Sequence, residues 1–278
     1  MFRKLLKFIL TEILYNGHLQ ALGASGIVYL SYMLFFYQRP EFTTILLVYL
    51  FFQFIYLNDR WRWIRKDEET NQTRASHISK YLKYVPILLV IYGVLVVYFS
   101  LAFNNFASFL FCLFVTFMGF LYPIYFKSLT KKIYLFKNIY VSSVFSILLI
   151  FPFIQKESGL NNNFIYFVMG YIFLETMIMQ VVLDCKDMFS DKKERLLTLP
   201  VLVGKINSQK IIIIGIFLLY ATIFLWLNNM ITNMIFFRVV VFSLMTNVLT
   251  FVLLLKDNKF AYLLTASKYF LWLLLLLI

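Results

Sequence analysis

Asp184, Asp187 and Asp191 stand three and four residues apart where an apolar run that begins near Phe164 gives way to charged sequence. If that run continues as a helix at about 100° per residue, Asp187 lies about 60° from Asp184 and Asp191 within about 20° of it. The three carboxylates then share one face. Like charges gathered on a face repel one another unless cations neutralise them, and Lys186, Lys192 and Lys193 point around the helix rather than along that face. A divalent ion suits the site. Magnesium takes one or two carboxylates and completes its shell with water and phosphate oxygens, so the spacing fits a bound diphosphate better than a closed ion cage. A solvated polar loop of mixed acids and bases would show the same residues, and spacing alone leaves both readings open.

The elements that carry these aspartates are membrane helices. A chain of 278 residues that is 62% hydrophobic and 14% charged exceeds what a soluble core absorbs. Apolar segments long enough to cross about 30 Å of hydrocarbon are expected near 17–37, 42–57, 84–103, 105–125, 138–155, 163–183, 210–228, 233–255 and 260–278. No Pro/Gly/Ser-rich linker separates them, so one all-α membrane domain over 1–278 is expected, with nine transmembrane helices. Residues 1–16 read as an interfacial amphipathic segment: Phe2, Leu5, Leu6, Ile9 and Ile13 recur at helical spacing opposite Lys4 and Lys7, and Glu12 interrupts any signal-peptide core.

Basic residues alternate across these segments. All but Arg39, Lys156, Arg238 and Lys268 fall at the N-terminus or after segments two, four, six and eight, which places those loops and the N-terminus in the cytoplasm. Topology and anionic lipid headgroups thereby account for the net charge of +13, and nucleic acid is not an expected partner. Cys112 and Cys185 belong to no CxxC or Cys/His cluster, so neither a disulfide framework nor a zinc site is indicated. His18 and His77 are isolated in the sequence and read as interfacial polar residues.

The residues after the aspartates extend the pattern to DxxDxxxDxxxxxxTLPVLVG, ending at Gly204. This resembles the second aspartate-rich motif of the UbiA-type intramembrane prenyltransferase superfamily in order and spacing. The stretch 121–141, LYPIYFKSLTKKIYLFKNIYV, is similar to the basic loop between helices four and five of that family, and the nine segments match its helix count. The resemblance implies a cytoplasmic-side cavity, a prenyl diphosphate donor, Mg2+ bridging the diphosphate to aspartates, and a small-molecule or lipid acceptor, with an aromatic quinone precursor as the first choice. A bacterial cytoplasmic membrane is the expected location. Under the same resemblance Asp187 and Asp191 are the expected catalytic carboxylates, and Asp59, Asp67, Asp184, Asp187 and Asp191 the expected metal ligands.

The first polar motif departs from the family pattern. In YLNDRWRWIRKDEETNQTRASH, residues 56–77, Asn58 and Asp59 fit an NDxxDxxxD run, but Arg62 and Lys66 replace the next aspartates and Asp67 is displaced by one residue. Three readings stand. Asp67 with Asn71 and Arg74 rebuilds the site; Arg62 and Lys66 contact diphosphate directly; or the site has decayed to topological anchors beside Trp61 and Trp63. Lys137 and Asn138, where segment five begins, are best placed among the loop residues to face substrate. Glu175, nine residues before Asp184, is costly inside a membrane unless it is paired or faces a cavity. Two other functions compete: a terpene cyclase of the same superfamily, in which the prenyl chain's own double bond is the acceptor, and an isoprenoid-lipid carrier without turnover.

Overall fold

A computed structural model describes residues 2–160, 163–226 and 233–278. Among the described residues nine helices are long and apolar enough to cross a membrane: His18–Phe36, Phe42–Arg62, Leu82–Ala102, Phe106–Leu129, Phe136–Gln155, Asn163–Lys193, Lys205–Leu225, Met234–Leu255 and Phe260–Leu277. They are called the first to ninth spans below. No strand occurs among the described residues.

The sixth span is the element that positions the aspartates, and it is longer than the apolar run inside it. Its 31 residues reach Lys193, not 183. At 1.5 Å per residue such a helix is about 46 Å long, against about 30 Å of hydrocarbon, so its last turns stand clear of the apolar layer and stay helical because no Pro or Gly interrupts them. It stops at Arg195, whose φ of 59° is left-handed, and the Leu196 amide closes back on the Asp191 carbonyl at 2.9 Å. The seventh span likewise starts at Lys205, five residues before the apolar stretch.

The inner layer is built by close helix approach. Gly26 of the first span lies against the ninth, where a Cβ would collide with the Tyr269 carbonyl oxygen; only a glycine lets the two backbones meet there. Trp272, Phe51, Phe151 and Phe236 are fully buried around this seam. The third and fourth spans are peripheral and expose Val90, Val94, Phe114 and Phe117, as lipid-facing helices do. The fourth ends in a π-turn, Tyr122–Phe126, that contains Pro123.

The N-terminal helix Phe2–Tyr15 exposes Leu5, Leu6, Ile9 and Leu10, in keeping with an interfacial position; the side chains of Arg3 and Lys4 lie outside the described residues. It is held by Glu12. The two histidines, far apart in sequence, meet at this carboxylate: His77 Nε2 lies 2.7 Å from Oε2 and His18 Nε2 3.4 Å from Oε1, while the Tyr81 hydroxyl donates at 2.9 Å and Asn16 Nδ2 at 2.6 Å. Burial raises the Glu12 pKa, but the hydrogen bonds from His18, Asn16, His77 and Tyr81 outweigh it and hold the carboxyl at about 2. A carboxyl lowered on folding stabilises the docked helix above its ordinary value of 4.5, and that contribution is lost as pH falls from there toward 2. Protection of the Phe2–Tyr15 amides, taken relative to the intrinsic exchange rate at each pH, should therefore be high at pH 7 and fall across that acidic window. Glu12→Gln should show the low protection already at pH 7; unchanged protection in the variant would remove Glu12 as the clasp.

Candidate active site

The second polar cluster is assembled from the sixth span and the loop before the fifth. Two backbone bonds staple these segments, Leu197 amide to Thr130 carbonyl at 2.9 Å and Leu135 amide to Leu197 carbonyl at 3.3 Å. Leu135 takes a left-handed φ of 57° and turns the chain into the helix that begins at Phe136. Lys137 and Asn138, in its first turn, are thereby delivered to the aspartate face. Lys137 Nζ donates to Asp184 Oδ1 at 2.6 Å and stands 3.9 Å from Asp191 Oδ2; Asn138 Nδ2 donates to Asp184 Oδ2 at 2.7 Å. Asp184 is fully buried with both oxygens engaged, Asp191 is 5% exposed, and Asp187 is half-buried beside them.

Among the described residues the Lys137 ammonium thus stands between two carboxylates, with Asp187 one turn away on the same helix, and several oxygens there have no hydrogen-bond partner. Asp191 Oδ2, Asn138 Oδ1 and Thr198 Oγ1 are all buried without a hydrogen bond, Asp191 Oδ2 keeping only its 3.9 Å approach to Lys137. Unpaired buried oxygens cost free energy, so their concentration at one spot marks a place where a ligand completes the structure.

The first polar cluster follows the second span. Asn58 is buried, and Asp59 Oδ2 accepts from Arg60 Nη1 at 3.0 Å. Asp67, on the short helix Ile64–Thr70, is 6% exposed and accepts a two-pronged contact from Arg74 on the helix Gln72–Ile78, with Nε to Oδ2 at 2.8 Å and Nη2 to Oδ1. Asn71 joins these helices, and its Oδ1 accepts from the Arg74 amide at 3.3 Å as an N-cap. Arg62 is exposed, and the side chain of Lys66 lies outside the described residues. Lys193 Nζ, two residues past Asp191, reaches Glu69 Oε2 at 3.3 Å, so the segments that carry the two clusters meet at one end of the bundle.

No family model matches the sequence, and no curated protein does. Solved structures do match. A UbiA homolog from Archaeoglobus fulgidus bound to DMAPP and Mg2+ aligns over 95% of this chain and 98% of its own, with a TM-score of 0.61 and 12% identity. A structure concerning digeranylgeranylglyceryl phosphate synthase in membranes aligns over 98% of this chain and 95% of its own, with a TM-score of 0.56 and 19% identity. The fold is that of the UbiA-type prenyltransferases.

The chain is accordingly an integral, multi-pass membrane protein. In its UbiA-type frame the expected site residues divide into three sets. Asp184, Asp187, Asp191, Lys137 and Asn138 come together in the second cluster. Asp59, Asp67, Asn71 and Arg74 form the first, where Asp59 and Asp67 carry arginines rather than standing open; Asn58 is buried one residue before Asp59, Arg62 is exposed, and the Lys66 side chain is outside the described residues. Glu175 joins neither: it is fully buried between spans, with Lys268 Nζ at 2.5 Å and Asn247 Nδ2 at 2.9 Å, and Asn247 also donates to the Tyr220 hydroxyl at 3.2 Å. Two pockets, of 470 and 380 Å3, are lined by apolar groups such as Phe153 and Leu160 in one and Phe217 and Phe251 in the other; neither borders the aspartates.

Arg60 and the Lys268–Asn247 pair escaped the sequence reading. Arg60 directly follows the Asn58-Asp59 pair, and Lys268 is a lysine inside a span; the cost of a lone charge in a membrane was the signal that could have paired Lys268 with Glu175.

Among the described residues no three His, Cys, Asp or Glu side chains converge to hold a metal unaided. The second cluster nonetheless fits magnesium, because its unpaired donors are all hard oxygens and its carboxylates outnumber its one cation. Asp187 and Asp191 would hold the ion, with phosphate oxygens completing the shell. Asp184, whose two oxygens are taken by Lys137 and Asn138, supports them.

Proposed function

We propose that this protein transfers a prenyl group from a prenyl diphosphate to a small-molecule or lipid acceptor, at the cytoplasmic end of the membrane bundle. The observation that carries the reading is the aspartate face of the sixth span, closed by Lys137 and bordered by the unpaired oxygens of Asp191, Asn138 and Thr198. That a UbiA homolog of this fold holds DMAPP and Mg2+ supports it.

Magnesium, when bound, supplies the positive charge that stabilises the departing diphosphate. The protein's own groups do the rest. Lys137 bridges Asp184 and Asp191; when diphosphate binds, its ammonium turns to a phosphate oxygen and adds a second positive charge to the leaving group. Asn138 fixes the Asp184 carboxylate, so that Lys137 pivots about a held partner. Loss of the diphosphate leaves an allylic cation on the prenyl chain. Aromatic and aliphatic side chains of the spans keep water from it until the acceptor's electron pair forms the new carbon bond and the acceptor releases a proton. The arginines and lysines that follow the second, fourth and sixth spans support a cytoplasmic location for this end and for the N-terminus.

Purified protein should be incubated with radiolabelled prenyl diphosphates of several chain lengths, with and without a membrane lipid extract. Labelled product that requires the extract is the expected result. Product without extract would show cyclisation instead, and binding without diphosphate release would show a carrier.

A further inference from the structure

The first cluster holds charge in a way unlike the second. Among the described residues Asp59 pairs with Arg60 and Asp67 with Arg74, whereas Asp184 and Asp191 share the ammonium of Lys137 and Asp187 makes no ion pair. Both oxygens of Asp67 lie on the fork of Arg74. A magnesium ion at Asp67 would have to displace that fork and sit against its charge. Arg60 supplies the complementary observation: its Nε is buried and has no hydrogen-bond partner, although its Nη1 is fixed on Asp59. A buried guanidinium N–H without an acceptor is costly, and a guanidinium cannot shed its proton to escape the cost. Arg74, Asp59 and Asp67 are electrostatic neighbours of Arg60, so the orphan donor belongs to the same cluster.

We infer that the first cluster binds the diphosphate directly through Arg60 and Arg74, with Asp59 and Asp67 aiming those arginines, and that magnesium enters only at the second cluster. This rests on the proposed function. The contact between Lys193 and Glu69 brings the clusters to one end of the bundle, so a diphosphate held by magnesium at Asp187 and Asp191 has arginine donors available from the opposite side. Planar guanidinium donors match phosphate oxygens, and Asp67 holds Arg74 in a fixed orientation for that purpose. Asp67 is then a positioning residue and not a metal ligand.

The full chain in nanodiscs of zwitterionic lipid, titrated with inorganic diphosphate at a series of magnesium concentrations, tests this. Arg60→Gln and Arg74→Gln should each weaken diphosphate binding about tenfold or more, the value of a hydrogen bond to a charged group, with the magnesium midpoint unchanged. Arg60→Lys keeps the charge, loses Nε and preserves folding where glutamine does not; it should weaken binding as well. Asp67→Asn should weaken binding and slow labelled-donor turnover about tenfold through Arg74, so that Asp67→Asn/Arg74→Gln is no weaker than Arg74→Gln alone. Asp191→Asn, by contrast, should raise the magnesium midpoint. The inference is overturned if Asp67→Asn raises that midpoint as Asp191→Asn does, or if folded arginine variants bind diphosphate like the parent. It is also overturned if anionic-lipid nanodiscs abolish the difference between parent and Arg60→Lys, since the arginines would then be bound to headgroup phosphates. Failure of the parent itself to bind diphosphate with magnesium would instead sink the proposed function.

Discussion

Asp187→Ala and Asp191→Ala should each slow diphosphate release by at least about a hundredfold, equivalent to roughly 2.7 kcal/mol of transition-state stabilisation. The loss follows from the donor set. Lys137 and Asn138 engage Asp184, so the two remaining carboxylates have to hold the ion, and an alanine leaves one. Excess magnesium should restore only part of the rate, because the missing carboxylate also sets where the ion sits. Stability should change little for Asp191. Its Oδ2 makes no hydrogen bond and only a 3.9 Å approach to Lys137, which keeps Asp184, so thermal unfolding in detergent should stay close to that of the parent. Single-turnover release of labelled diphosphate, paired with that unfolding curve, checks both halves. Normal turnover in both variants would remove the aspartate face from the chemistry.

Lys268→Met should destabilise the folded bundle by about 3–5 kcal/mol, the usual consequence of leaving one member of a buried ion pair behind. Glu175 would keep only Asn247, in a place where Glu175 is fully buried and Lys268 is 1% exposed. Pairing the change with Glu175→Leu removes the stranded charge, and most of the lost stability should return. The double variant should also retain diphosphate release, since the network of Glu175, Lys268, Asn247 and Tyr220 ties the sixth, ninth, eighth and seventh spans to one another and does not touch the aspartate face. A stable double variant without turnover would move Glu175 into the reaction.

The nine spans and the aspartate face were legible because both are local. Hydrophobic length marks a span, and a spacing of three and four marks one helix face whatever surrounds it. Apolar length alone ends the sixth span near 183, where hydropathy falls, whereas the helix continues to Lys193, as the shared aspartate face requires, and the stop lies in the left-handed φ of Arg195. What the sequence withheld were contacts between distant residues. Glu12 meets His77 across 65 positions, and nothing in either neighbourhood names the partner; Glu175 meets Lys268 across 93, where only the cost of two charges inside spans hints at the pair. Asp67 and Arg74 are only seven apart, yet two short helices joined at Asn71 are needed to bring them face to face. Reading residue types grouped Asp67 with Asn71 and Arg74, but did not show the two-pronged Arg74 contact that engages both Asp67 oxygens.

The most direct test of the central claim is the magnesium dependence of diphosphate release by the parent protein. Labelled prenyl diphosphate should be presented with acceptor extract, first after chelation and then with magnesium restored in steps. The account predicts release that is absent after chelation, returns with magnesium, and does so with a higher midpoint in Asp191→Asn. Release that persists after chelation, or a midpoint identical in parent and variant, would contradict it.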